Sequence, residues 1–485
     1  MFIKSPFTLV LLLATLGFCA TSQASVGPEI AVQQPAGTDL VDGTASIDFG
    51  NQTLTTSSAA KTFTITNSGL LDLAVTNIVT DGANASDFAV DTTGMLNRLV
   101  SGASTTFTVT FTPGANGVRT AAIHINNNDS NEDPFDINLT GTSMDYSVTT
   151  TPNSIVVTAI STNSETLTVS EPSAGNINFA AAGRIFCVNG GTSFSGDSGT
   201  NSLAGISSIT VNASADIVNL GTFVGTLPSL TMNGSSFNAG AIGLQTNSAL
   251  TINVTNASAI TGIVSGVNAT LTKGGSGTLT LSGTNTYSGA TTISQGILKM
   301  GNVSALGSVT VGTTVSDGAT IDLNGISLAT EPITLNGVGV GATGAVTNSA
   351  AATARINGTA TLASDTIITV GNGTIEIPGK VTGPGGMIKQ GNGFLTLSAT
   401  NDYAGVTTLN AGIITIQRNG ALGSSSGKTV VNSTARLNFQ MALNDSYSIP
   451  EPVDLNNGGT MSATFNPEIF TGPITLTGTS TMSLG

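Results

Sequence analysis

The stretch Leu271-Thr272-Lys273-Gly274-Gly275-Ser276-Gly277-Thr278-Leu279-Thr280-Leu281-Ser282-Gly283-Thr284-Asn285-Thr286-Tyr287-Ser288-Gly289-Ala290-Thr291-Thr292-Ile293 returns 116 positions later, beginning at Met387. The windows 271–307 and 387–423 align without a gap. Lys273 falls on Lys389, Leu279 and Leu281 on Leu395 and Leu397, Asn285 on Asn401, Tyr287 on Tyr403, and Thr291-Thr292 on Thr407-Thr408. Alternating Thr and Leu reads as strand, and the glycines read as corners. Gly275, Gly277, Gly283, Gly289 and Gly296 are expected to supply positive φ angles there. Leu279, Leu281, Ile293 and Ile297 are expected to fill an interior, Asn285 to satisfy turn backbone or to join a ladder, and Tyr287 to cover a corner.

A shorter phrase leads into this repeat. Ser208-Ile209-Thr210-Val211-Asn212, Ser229-Leu230-Thr231-Met232-Asn233, Ala249-Leu250-Thr251-Ile252-Asn253 and the run from Thr270 follow one another at steps of 21, 20 and 21 residues. A fixed step of this size is a solenoid signature, because each coil buries its apolar side only by stacking on its neighbours. Stacked strands about 4.8 Å apart make a parallel β-helix. We expect it to be right-handed and to occupy 177–485, with 145–176, rich in Thr, Ser and Pro, as a connector or cap.

Upstream, the spacing changes. Between residues 37 and 144 short alternating runs predict seven strands, at 46–49, 61–67, 73–79, 87–90, 105–111, 120–126 and 135–139. In the fifth, Phe107, Val109 and Phe111 share one face and the threonines the other, which predicts a two-sheet sandwich of immunoglobulin type. Residues 25–36 are read as a linker.

At the start of the chain, Lys4, the apolar run 7–18 and the site Ser22-Gln23-Ala24 read as a signal peptide over 1–24. No later stretch reaches the roughly 18 apolar residues of a membrane helix. Removing the signal leaves one cysteine, Cys187, so no internal disulfide can form. With 60 Gly, no Trp and only 8% charged residues, the 485-residue chain lacks helical stripes and reads as all-β. A net charge of -14 with 13 Lys and Arg excludes nucleic acid as a partner.

The phrase Lys-x-Gly-x-Gly-x-Leu-Thr-Leu-Ser-x-x-Asn-x-Tyr-x-Gly-x-Thr-Thr resembles the autotransporter-associated β-strand repeat, with Ala399 standing where the first copy has Gly283. Asp48-Phe49-Gly50, Phe63-Thr64-Ile65-Thr66-Asn67-Ser68-Gly69, Phe107 through Pro113 and Ile123 through Asp129 resemble the immunoglobulin-like module of choice-of-anchor D proteins, related to the abnormal-spindle and hydin type. The signal peptide predicts export by the Sec pathway, and together the resemblances imply a non-catalytic passenger at the surface of a Gram-negative bacterium. Adhesion, aggregation or scaffolding is the implied role, and the partner a surface glycan, a protein or a second copy. The outer-membrane barrel of an autotransporter would lie outside this chain, and the uncapped run 470–485 marks an expected fragment.

Residues that could carry chemistry are few. His124, the only histidine, sits in a sandwich strand, and Cys187 reads as a buried structural thiol. The turn Asp129-Ser130-Asn131-Glu132-Asp133-Pro134 places oxygen ligands at alternate positions, but Pro134 stands where a calcium loop needs Gly, so a solvated hairpin loop is expected. Gly423-Ser424-Ser425-Ser426-Gly427-Lys428-Thr429 is one residue short of a phosphate-binding loop. A polysaccharide lyase or hydrolase on the same solenoid is the alternative reading. It would need Asp197, Asp216, Asp317, Asp322, Glu331, Asp365, Glu376, Asp402, Asp445 or Glu451 to converge. No catalytic, cofactor-binding or metal-binding residue is assigned.

Overall fold

The computed structural model describes residues 26–160, 164–189, 192–440, 447–464 and 468–484. The signal peptide read at 1–24 lies outside them, as does Asp445. The chain is all-β, without an α-helix among the described residues, and divides after Ser143 into two compact units.

Unit 1 has nine strands: β1 (Ile30–Gln33), β2 (Ala45–Thr53), β3 (Lys61–Asn67), β4 (Leu73–Asp81), β5 (Phe88–Asp91), β6 (Arg98–Leu99), β7 (Ser104–Phe111), β8 (Gly117–Asn127) and β9 (Phe135–Met144). They form two antiparallel sheets, ordered β1-β3-β7-β5 and β2-β9-β8-β4-β6, around one core. The alternation read in β7 holds: Phe107, Val109 and Phe111 are buried. Phe63 stacks on Phe107 with ring centroids 5.0 Å apart, as the register Phe63↔Phe107 dictates. The supposed linker contains β1, which pairs antiparallel with β3 and buries Ile30 and Val32. Four residues between Pro28 and Pro35 are too few to announce a strand by periodicity.

Unit 2 starts at once as strand. Tyr146–Thr150 pairs antiparallel with Ser154–Ala159, and the latter pairs in parallel with Ser208–Leu220, so the segment expected to connect or cap is hydrogen-bonded to the coils that follow. From there the chain is a β-solenoid of about 13 turns. The observed register Ser208↔Ser229, Leu230↔Leu250 and Ala249↔Thr270 is the alignment of the short phrase. Inside, Ile209, Leu230, Leu250 and Leu271 form one apolar column.

Two expectations within the long repeat are corrected. Ile297 faces outward while Leu298 and Met300 are buried, because Gly296, at φ +67°, resets the phase of the strand. Only Gly275 and Gly296 of the five glycines named above have positive φ. The others answer to space: a Cβ on Gly283 would lie 1.9 Å from Gly262 O, and one on Gly289 2.5 Å from Ala269 O.

Gly296 and Gly412, its counterpart at φ +72°, meet both demands. A Cβ at 296 would be 2.4 Å from the carbonyl oxygens of both Gly275 and Gly277, and one at 412 would be 2.4 Å from Gly391 O. Gly296→Ala should therefore cost roughly 3 kcal/mol of strain and overpacking. Gly318→Ala, at φ +77° with open space around it, should cost only about 1 kcal/mol. Urea unfolding of the two variants checks this, and equal costs would refute the steric account.

Candidate functional site

The strongest polar chemistry of the solenoid is internal. Lys273 stacks between Ile252 and Ile293 in an otherwise aliphatic column and is 0% exposed. No carboxylate balances it. Its ammonium instead donates to Gly274 O at 2.7 Å, Gly275 O at 2.8 Å and Gln295 O at 3.1 Å, using all three protons. Lys389 repeats the arrangement with Gln390 O, Gly391 O and Ala411 O. Burial pushes both lysines down to about 8. Each lysine ties its own corner to the next coil, a role that replaces missing backbone donors.

The other repeat residues act in the same way. Asn285 accepts the Val264 N–H at 2.8 Å and donates to Ala305 O, so it spans the coils on both sides, and Asn401 does this with Val381 and Ala421. Tyr287 does not cover a corner from outside. It is fully buried, shares a 2.6 Å hydrogen bond with the Thr291 hydroxyl, and has Gly307 against its ring.

At the start of unit 2 the chain gathers an ionic cluster that the sequence did not reveal. Arg184 pairs with Glu165 and, at 3.5 Å, with Asp145. Tyr146 donates its hydroxyl proton to Asp216 at 2.8 Å. Burial raises the carboxyls of Asp145 and Asp216 and the phenol of Tyr146 above their ordinary ranges. Both aspartates are 1% exposed, and their oxygens already accept the Ile185 and Glu165 N–H groups at 2.9 and 3.0 Å. Such carboxyls have no free face for a sugar ring.

Six further solenoid acids that the alternative reading requires are engaged one by one. Asp197 holds Gly199 N, Asp317 holds Val338 N, Asp322 holds Asn324 N and Asp365 holds Gly386 N. Glu376 pairs with Arg355 and Asp402 with Lys380. Lys428, of the loop that imitates a phosphate site, pairs with Asp454 at 2.9 Å, and Gly423 lies under the Tyr403 ring. Cys187 is 4% exposed within a strand.

In unit 1, His124 lies between two carboxylates: Asp81 Oδ1 is 3.0 Å from Nε2, off the line of a good hydrogen bond, and Asp136 Oδ1 is 2.7 Å from Nδ1. Both raise its pKa above 6.5, Asp81 first. The acidic turn is not solvated throughout. Asp129 is 1% exposed and accepts the Ile30 N–H at 3.0 Å, because β1 runs beside it. One oxygen each of Glu29, Asp129 and Glu132 lies within 4.8 Å of the others. Burial, then Asp129, Glu29 and Asp42, raise the Glu132 carboxyl. Three acids without a further ligand do not define a metal centre.

Outward, the solenoid presents rows. Nine successive coils, from Thr210, Thr231, Thr251 and Thr272 on to Thr382, set a threonine at the same register position. Beside them Asn212, Asn233 and Asn253 form an amide ladder with 2.7 Å steps. The result is a neutral, hydrogen-bonding face with a period of about 4.8 Å.

The fold class is thus a β-solenoid with buried polar staples. The repeat family described as Passenger-associated-transport-repeat matches residues 271–300 and 387–416, the two segments that carry the staples. No curated protein matches the chain. Among solved structures, the VesB protease of Vibrio cholerae aligns at 16% identity over 20% of this chain and 30% of its own, with a TM-score of 0.18. A PapD-like domain of human CEP192 (PapD-like domain 7) aligns at 15% identity over 29% of this chain and 98% of its own, with a TM-score of 0.17. Scores of this size carry no argument about fold or function.

Two predictions follow from the buried cations. Lys273→Met leaves three corner carbonyls without their donor and should cost about 2–3 kcal/mol in urea unfolding. Lys299→Met, which removes a half-exposed lysine 3.7 Å from Asp322, should cost less than about 1 kcal/mol. For His124, the chain's single histidine, the folded pKa lies above the unfolded one. Its stabilising contribution is complete below pH 6.5 and is lost as pH rises through the folded value. The imidazole resonance should therefore titrate above 6.5, and Asp81→Asn should bring it down. An unmoved resonance would count against the pairing.

Proposed function

We propose that this chain is a non-catalytic, exported passenger: a rigid β-solenoid that displays repeated neutral rows at a bacterial surface for adhesion, aggregation or scaffolding. The observation that carries this reading is the coincidence of the repeat match with the lysine, asparagine and tyrosine staples. The matched residues build the rod and leave its surface free to vary. An autotransporter passenger fits both the match and the solenoid. The unit 1 sandwich serves as an immunoglobulin-like spacer or binding module of choice-of-anchor D type, and residues 1–24 direct Sec export with cleavage after Ala24. The row of threonines and asparagines, with neutral donors and acceptors at a fixed period, suits a surface glycan, a protein or another copy as partner.

What weighs against the polysaccharide-degrading alternative is the use of the acids. A glycosidase needs two carboxyls flanking a bond with room between them, whereas Asp145 and Asp216 are enclosed and fully bonded. Expression of the gene in its natural form in a Gram-negative host tests the proposal through protease shaving of intact cells, N-terminal sequencing and cell-binding assays. A chain exposed on the cells, beginning at Ser25 and promoting attachment without releasing reducing sugar, is expected. A chain that stays in the cytoplasm, or that depolymerises a polysaccharide, would sink it.

A further inference from the structure

The 116-residue repeat continues beyond its last aligned glycine, in a form that alignment hides. Thr313 stacks in register on Thr291, and Thr429 on Thr407. Both hydroxyls are buried, and each donates to a glutamate from the next coil: Thr313 Oγ1 to Glu331 Oε1 at 2.6 Å, and Thr429 Oγ1 to Glu451 Oε1 at 2.9 Å. A proline follows each glutamate, and the carbonyls of Pro332 and Pro452 accept the N–H groups of the same threonines at 3.0 and 2.9 Å. The glutamates are 120 positions apart instead of 116, so four extra residues conceal the equivalence.

Each glutamate is 4% exposed, and among the described residues no cation pairs with either. Tyr287, itself a buried proton donor spent on Thr291, is the titratable group facing Glu331. Tyr403, spent on Thr407, faces Glu451. Arg418, whose side chain is exposed, stands at the edge of the small slot that Glu451 lines with Leu422, Phe439 and Pro450. Glu451 Oε2 is buried with no hydrogen-bond partner. A carboxylate oxygen there would be stripped of water with nothing in return, a cost that a neutral carboxyl largely avoids.

We propose that Glu331 and Glu451 are acid latches: as neutral carboxyls they fit the buried contact between consecutive coils, and as carboxylates they strain it, because the charge is enclosed without a cation, so that the solenoid loosens as the surrounding pH rises. Burial pushes Glu331 up to about 7 and Glu451 up to about 8, against 4.5 for a free side chain. Between these limits the folded chain holds protons that the unfolded chain has released, so stability falls with rising pH. Lys273 and Lys389, held near 8, act in the opposite sense only above that value.

The test is urea unfolding of the full chain at about pH 5 and about pH 8.5, wild type against the double variant Glu331→Gln, Glu451→Gln. Glutamine keeps the acceptor oxygen for threonine and cannot ionise. The wild-type unfolding constant should rise on the order of ten-thousandfold more than that of the variant across this window. His124 and Glu132 titrate in both proteins and cancel from the comparison. Parallel profiles would overturn the proposal. Should the double variant fail to fold, infrared difference spectra of the wild type and of each single Gln variant decide: a protonated carboxyl band that persists to about pH 7 and is diminished by either substitution supports the latches, and a band that neither substitution changes refutes them.

Discussion

From Ser208 onward, unit 2 depends on the parallel, in-register hydrogen bonding of one coil to the next. Once Ser208 is fixed on Ser229 and Ala249 on Thr270, each inward position becomes a column and each outward position a row. An apolar column is stable because like side chains fill like spaces. A polar residue placed in such a column lacks water, and must find its partners in the backbone of the corners or in another buried polar side chain. The corners supply them, since turning the chain leaves carbonyls and N–H groups outside the ladder.

That constraint explains which polar residues the long repeat holds in common. A lysine can enter the lumen because its stem packs as an aliphatic chain while three protons reach three carbonyls, a match of donor number to corner geometry that arginine's planar fork would not make. Asparagine offers one acceptor and donors on a short stem, which suits a group bridging the coils above and below. Glycine appears where one corner backbone rests directly on another. In most cases the demand is for volume and not for a left-handed dihedral, and sequence inspection conflates the two.

The sequence was legible where structure is local or strictly periodic. The solenoid register could be read because residues 20 or 21 apart are partners, and the sandwich core because alternation in β7 and β8 is written out over seven or more residues. The Arg184 cluster could not be read, since Asp145, Glu165 and Asp216 lie at unrelated separations and nothing in their neighbours announces burial. The β1 strand was missed because four residues carry too little pattern. The Glu331 and Glu451 equivalence was hidden by four inserted residues, although the shared Glu-Pro dipeptide and the preceding buried threonine were signals that could have found it.

The same constraint separates the inside of this rod from any role it plays outside. Interior groups with chemical potential, the lysines, the tyrosines and Asp216, are saturated by protein partners, and their perturbed proton affinities arise first from burial. Perturbation is often taken as a sign of a functional site, yet here it accompanies residues whose hydrogen bonds close on the fold itself. Under the proposed function recognition falls to the outward rows, where a side chain can change without disturbing a column. A solenoid of this kind divides its side chains by direction: the inward-facing half of each strand is bound by stacking, and the outward-facing half can vary without cost to the stack.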